Sequence, residues 1–309
     1  MVVAVKGKAS ERRSLTTRSG TLRFPAYIPV TTFGKKYPLD DLVRPFLARL
    51  APAVMVSHYY ARQATERLGI PMLVDSGGFA SLFDWASIEE QSGLGVIRLR
   101  GTEDEETITP DAVLGFQEEI ADVAFTLDFP IPPARADQEG ERRLQLTIAN
   151  ALWAIRNRRR RDLPLYACVQ GWDVESYRRC AAAYVDQPFD GIAIGGLVPR
   201  MRDRDLVESI VTAVRELIPG KPLHVFGLGQ PNLVKRLFEL GVDSVDSSAY
   251  VRLAAEGKGW GQNASSATPD LSPLRRMHLA IANLAVASQR ALPLGFAQIL
   301  FSSATDRQA

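Results

Sequence analysis

Three aspartates in this chain each close a short apolar run. Asp75 ends PMLVD and is followed by Ser76-Gly77-Gly78-Phe79, Asp128 ends VAFTLD, and Asp246 ends GVDSVD. Runs of this kind read as strands buried on both faces, and the C-terminal end of such a strand is where α/β enzymes assemble their chemistry. Two carboxylates in one cleft suit glycosidic chemistry: one attacks or stabilises an anomeric carbon, and the other gives and takes the leaving-group proton. The residue types alone leave two other readings open. The acids can be structural, capping helices or pairing with arginines, or they can form a three-aspartate metal site. The metal reading is the weaker, because no histidine shares a strand end: His58 follows the second run, His224 lies inside the seventh, and His278 falls in a C-terminal helix.

Gln170 and the backbone of Gly195-Gly196-Leu197 offer donors and acceptors suited to the edge of a planar amide or purine. Phe79 and Phe226 suit a sandwich around such a ring, and ordinary core packing is the competing use. Basic residues gather in two places. Arg156 to Arg161 (RNRRRR) reads as a solvated helix end, where cations favour the dipole. Lys35, Lys36, Arg200, Arg202, Arg204 and Arg252 follow strand-like runs and could hold polynucleotide phosphates or pair with local acids.

The elements that must position these groups are legible as eight runs: 24–30, 53–57, 72–75, 123–128, 165–170, 191–195, 223–227 and 244–246. Helical patterns over 109–120, 141–161, 174–185, 203–217 and 231–240 separate them, and Thr109-Pro110-Asp111 is a recognisable helix start. Eight strands alternating with helices over about 250 residues is the rhythm of an α/β (β/α)8 barrel. A doubly wound open sheet is the alternative, but the polar or glycine tails after nearly every run point to convergence at one barrel mouth. The expected division is a barrel over 1–253 and a C-terminal segment over 254–309, a loop followed by a helix at 274–290, packing on the barrel. No phosphate loop of the GxxxxGK type occurs, and Gly227-Leu228-Gly229 lacks the third glycine of a dinucleotide fingerprint.

Composition bounds the partners. The chain has 309 residues, is 46% hydrophobic and carries a net charge of +2, so any nucleic acid must be held by a local patch rather than a global field. The only cysteines are Cys168 and Cys180, which excludes a disulfide framework and any zinc site of three cysteines. With no signal-peptide pattern and no run of about 20 apolar residues, a cytoplasmic protein without membrane contact is expected.

Six ordered motifs make the sequence resemble the tRNA-guanine transglycosylase superfamily from about Arg18 to Arg252. They are DSGGF (75–79), TPDAVLGFQEEIADVAFTLD (109–128), VQG (169–171), FDGIAIGGL (189–197), FGLGQP (226–231) and GVDSVDS (241–247), with RSGTLRFPAYIPVTTFG as the lead-in. The resemblance implies a barrel and base-exchange chemistry without a cofactor. It places Asp246 on the nucleophile that attacks C1′ and Asp75 on the general acid/base, with Asp243 as the internal competitor for Asp246. Asp128, Gln170 and Gly196 fall on groups that read a guanine-like edge, with Ser76 and Leu197 beside them, and Phe79 and Phe226 fall on the stacking positions. Arg252 matches a phosphate-contacting arginine, joined at the mouth by Lys35 and Lys36. The family's tRNA enzymes carry a zinc site of three cysteines and a histidine after the nucleophile motif; no cysteine follows Cys180 here, so a zinc-free C-terminal segment is expected. This departure, with no counterpart of the archaeal RNA-binding extension, tilts the expected target from tRNA towards DNA carrying 7-deazaguanine bases. A small nucleoside acceptor and a non-catalytic partner subunit are the other implied possibilities, the protein acting as a homodimer or hetero-oligomer.

Overall fold

The computed structural model describes residues 13–34, 36–61, 68–101, 105–260 and 271–290. Eight parallel strands close a barrel in strict chain order: β1 (Ala26–Thr31), β2 (Val54–Val56), β3 (Met72–Val74), β4 (Val123–Phe125), β5 (Leu165–Val169), β6 (Gly191–Ile194), β7 (Leu223–Val225) and β8 (Ser244–Ser247). Every one of the eight apolar runs forms a strand, and β8 pairs with β1 to complete the ring, Asp246 lying beside Ile28. The strands stop earlier than the apolar runs at several ends. The run 123–128 leaves the ladder after Phe125, so its last three residues belong to the mouth.

Side chains alternate across each strand. One row packs outward against the helices, and the other fills the barrel with Ile28, Met55, Leu73, Phe125, Tyr166 and Cys168. The hairpin formed by Ser14–Thr17 and Gly20–Arg23 adds Leu22 and Leu15 to that inner cluster. The helices that matter to the site are α1 (Pro110–Ile120), α2 (Gln138–Asn157), α3 (Val174–Ala182), α4 (Arg204–Leu217), α5 (Pro231–Glu239), α6 (Ala249–Ala255) and α7 (Pro273–Ala287). Their starts are chemically marked: Thr109 accepts from the Ala112 N–H, Asp137 from Glu139 and Gly140, and Asp173 forms a capping box with Ser176. Helix α2 begins earlier than its apolar spacing indicates because Asp137 caps it, and it ends at Asn157, where Arg158 turns extended.

Sequence periodicity does not disclose the three-stranded antiparallel sheet of Ala86–Gln91, Leu94–Arg100 and Glu105–Ile108, inserted between β3 and α1. Its signal is Ser92-Gly93, a two-residue hairpin turn with φ of 53° and 78°. At the C-terminal end, α7 packs on α6 and on the segment Leu39–Val43. Buried Asn283 joins them: it accepts from the Trp260 N–H at 2.8 Å and donates to the carbonyls of Tyr250 and Lys258, both at 3.1 Å. Among the described residues, no helix is long and apolar enough to cross a membrane.

Candidate active site

The inward row of side chains, continued to the C-terminal ends of the strands, becomes polar. Two residues beyond Leu73 stands Asp75, two beyond Cys168 stands Gln170, and two beyond Ser244 stands Asp246. The competitor Asp243 lies at the other end of β8, where it accepts from Arg215 at 3.0 Å and from the Leu223 N–H at 2.8 Å. Geometry thus separates the two acids of the GVDSVDS motif by position: Asp243 braces the barrel floor, and Asp246 faces the mouth.

Asp246 is 6% exposed. Its Oδ1 lies 3.0 Å from His224 Nε2 and accepts from the Gly227 N–H at 3.1 Å. Asp75 is held by the N–H groups of His58 and Gly77, at 2.9 and 2.8 Å, and by the Ser57 hydroxyl. It keeps part of its surface open to the mouth, yet the desolvation imposed by the barrel outweighs those bonds and, aided by the charge of Asp246, raises its pKa to about 7. Two carboxyl groups that influence one another, one poised to carry a proton near neutrality, make a glycosidic acid/base pair physically reasonable.

Asp128 completes a third station. Ser76 Oγ donates to its Oδ1 and Gln170 Nε2 to its Oδ2, both at 2.6 Å, while burial pushes its pKa up. Ser76 therefore acts on Asp128 and is itself buried. Gln170 Oε1 is buried and meets no hydrogen-bond partner among the described residues. The glycines beside these groups are spatial requirements: a Cβ on Gly78 would collide with Asp128, and one on Gly195 with the Gln170 amide. From behind, Tyr177 donates to the Gly195 carbonyl at 2.7 Å and Arg200 to the Gly196 carbonyl at 2.6 Å. The N–H groups of Gly196 and Leu197 meet no acceptor among the described residues. The Leu197 side chain is fully buried among the helices, so only its backbone is available to a ligand.

The stacking candidates occupy different settings. Phe79 is 57% exposed, packs edge-on against Phe83 at 6.1 Å and has Lys36 Nζ 5.5 Å from its ring centroid. Phe226 is half-buried on the inner cluster, 5.0 Å from Phe125 and 4.8 Å from His224. Arg252 pairs with Glu256 at 3.1 Å on α6, and Lys35 lies outside the described residues. Of the other cations, Arg200 is buried and spent on carbonyls, including that of Ile131. Arg158 and Arg160 of the RNRRRR run lie before β5, away from the mouth, bonded to Asp190 and to the Glu118 carbonyl. Among the described residues, no three His, Cys, Asp or Glu side chains gather into a metal-binding group.

Two groups at the site, Tyr177 and Gln117, carry no chemical signature in the sequence, while Arg200, expected as a phosphate or acid partner, braces the glycine loop instead and His224 contacts Asp246 from inside the barrel. Gln117 is buried and donates to the carbonyls of Val74, Asp75 and Phe125, tying α1 to the ends of β3 and β4. Its spacing of four from Val113 on the apolar face of α1 is the one available hint. For His224 the hint is parity, since it stands two residues before Phe226 within an apolar strand.

A closed parallel barrel that gathers two carboxyl groups, a buried amide and glycine-lined loops at the C-terminal ends of its strands places the chain among the (β/α)8 proteins. Within that class the chain belongs to the queuine tRNA-ribosyltransferase family, whose profile matches residues 8–264. It is 31% identical over 250 residues to the tRNA-guanine(15) transglycosylase of Methanothermobacter thermautotrophicus, covering 79% of this chain and 36% of the relative. The enzyme of the same name from Methanosphaera stadtmanae is 32% identical over 244 residues, covering 77% and 34%. That from Thermococcus kodakarensis is 28% identical over 258 residues, covering 79% and 41%. The chain thus spans little more than a third of the length of the first two of these relatives.

Proposed function

We propose that this protein exchanges guanine in a polynucleotide for a 7-deazaguanine derivative, through a covalent link between the target sugar and Asp246. Asp246 attacks C1′, the C1′–N9 bond breaks, and its electron pair leaves with guanine, which takes a proton from Asp75. The incoming base returns its N9 proton to Asp75 and attacks C1′, and the electron pair of the C1′–O bond goes back to Asp246. Bonds made and broken balance without redox chemistry. The observation that carries this reading is the placement of Asp75 and Asp246 at the C-terminal ends of two barrel strands, where burial, helped by the charge of Asp246, pushes the Asp75 pKa up to about 7.

The reader for the base follows from donor and acceptor counts. Asp128 accepts from the N1–H and amino group of a guanine-type edge, while the Gly196 and Leu197 amides donate to its carbonyl oxygen. The base must leave its stack to reach this depth, and contacts with Phe79 and Phe226 offset that cost. Lys36 and Arg252 are the phosphate contacts in this reading.

For the polymer we place tRNA ahead of DNA. The missing cysteines favour DNA in the sequence, but the matched relatives are named as tRNA enzymes, and the match spans the whole barrel. The test is incubation with labelled guanine and, separately, tRNA, single-stranded DNA and double-stranded DNA. Label is expected in tRNA and not with Asp246→Asn. Label confined to DNA would overturn the choice of polymer, and a covalent complex formed by Asp246→Asn would overturn the nucleophile.

A further inference from the structure

The scheme above leaves the His224 imidazole unused. The ring is fully buried inside the barrel, edge-on to Phe226 at 4.8 Å and 5.3 Å from Phe125. Its two nitrogens bridge successive inward positions of the next strand: Nδ1 is 2.8 Å from Ser244 Oγ, and Nε2 is 3.0 Å from Asp246 Oδ1. The register makes this possible, because β7 and β8 pair His224 directly with Ser244 and leave the ring reaching one inward step towards the mouth.

Hydrogen-bond chemistry assigns the proton. An ionised carboxylate only accepts, so Nε2 carries the hydrogen; in the neutral ring, Nδ1 then accepts from the Ser244 hydroxyl. Oδ1 of Asp246 is thus engaged by two N–H donors, His224 and the backbone of Gly227. No donor is bonded to Oδ2 among the described residues.

We propose that His224, locked by Ser244, is a positioning residue that commits Oδ1 of Asp246 to its donors and makes Oδ2 the attacking oxygen. The inference rests on the base-exchange reading. When Oδ2 bonds to C1′, Oδ1 becomes the ester carbonyl oxygen and keeps both donors. When the incoming base attacks C1′, the C1′–Oδ2 electron pair returns to the carboxylate, and its charge spreads onto Oδ1 where the two donors already point. No reorganisation is needed in either step, which is the economy of a preorganised polar site.

The chain contains three histidines, so nitrogen-15 spectra of the imidazoles resolve His224 from His58 and His278. The expected signature is a ring protonated at Nε2, which Ser244→Ala should retain because Asp246 still accepts from Nε2, while loss of the Ser244 anchor at Nδ1 should slow trapping several-fold. His224→Phe should slow trapping of the glycosyl-enzyme about 100-fold with the KM for free base within about threefold, the scale of a misplaced reacting group. His224→Gln, whose amide nitrogen takes the place of Nε2, should recover trapping to within about tenfold of wild type. A wild-type ring protonated at Nδ1 alone, or His224→Phe trapping at the wild-type rate, would overturn the inference. Wild-type protein that traps no polynucleotide would sink the base-exchange reading instead, and the tautomer would still decide how His224 meets Asp246. Should His224→Phe fail to fold, Ser244→Ala carries the test: a trapping rate equal to wild type counts against the proposal.

Discussion

Asp75 shows how one residue gathers its properties from its surroundings. Its ordinary pKa of 3.8 rises to about 7 because the barrel wall strips water from the carboxylate faster than two N–H groups and a hydroxyl can compensate. In the unfolded chain the group ionises above about pH 4; in the fold it keeps its proton to about pH 7. The folded state therefore binds more protons across that window, so this residue makes stability fall as pH rises from about 4 to 7, and the cost persists above 7. Asp75→Asn should raise the melting temperature by about 2–4 °C at pH 8, with the gain disappearing as pH approaches 4. In base exchange, the wild-type rate should decline above pH 7 as the acid for the departing guanine is lost. Asp75→Asn should be slow throughout and lack that limb, as a pH series of label incorporation would show. The position of Asp75 was legible as a polar residue ending an apolar run, whereas its pKa was not, because desolvation is a property of the packed neighbours.

Gln117 on α1 satisfies three carbonyl oxygens at the ends of β3 and β4, at 2.9, 3.1 and 2.8 Å. Gln117→Leu strands those carbonyls and should cost about 2–4 kcal/mol in urea unfolding, with a loss of activity, because the Asp75 carbonyl is one of the three. Asn283 does comparable work between α6 and α7, so Asn283→Leu should destabilise by about 2–3 kcal/mol; it touches none of the groups at the mouth, so exchange activity of the folded fraction should survive. The strands and most helices were readable from runs of β-branched residues and from caps, which are local signals. The inserted three-stranded sheet escaped, since ASIEEQSGLGVIRLR mixes charged and apolar residues and only the Ser-Gly turn betrays the hairpin. Gln117 and Asn283 escaped for another reason: a lone amide on an apolar helix face declares its partners only once the neighbouring elements are in place.

At the scale of the whole molecule, a net charge of +2 and the two cations proposed to contact phosphate, Lys36 and Arg252, set the way a polynucleotide would be held. Neutralising about two phosphates of a single-stranded segment gives a slope near −1.4 for log affinity against log salt. Titration of tRNA binding between 50 and 200 mM salt should therefore show a shallow dependence, with most affinity coming from the base pocket. A slope several times steeper would place a larger basic surface in the contact. By itself the sequence determined the barrel, the acids at strand ends and the family, because buried parallel strands need unbroken apolar runs and site residues must sit where those runs end. Only the tertiary structure decided that Asp243 braces the barrel floor, that Ser76 serves Asp128, that Arg200 is buried behind the glycine loop, and that His224 stands beneath Asp246. Those facts depend on which strands and helices become neighbours when the ring closes, and long-range adjacency leaves no trace in local residue spacing.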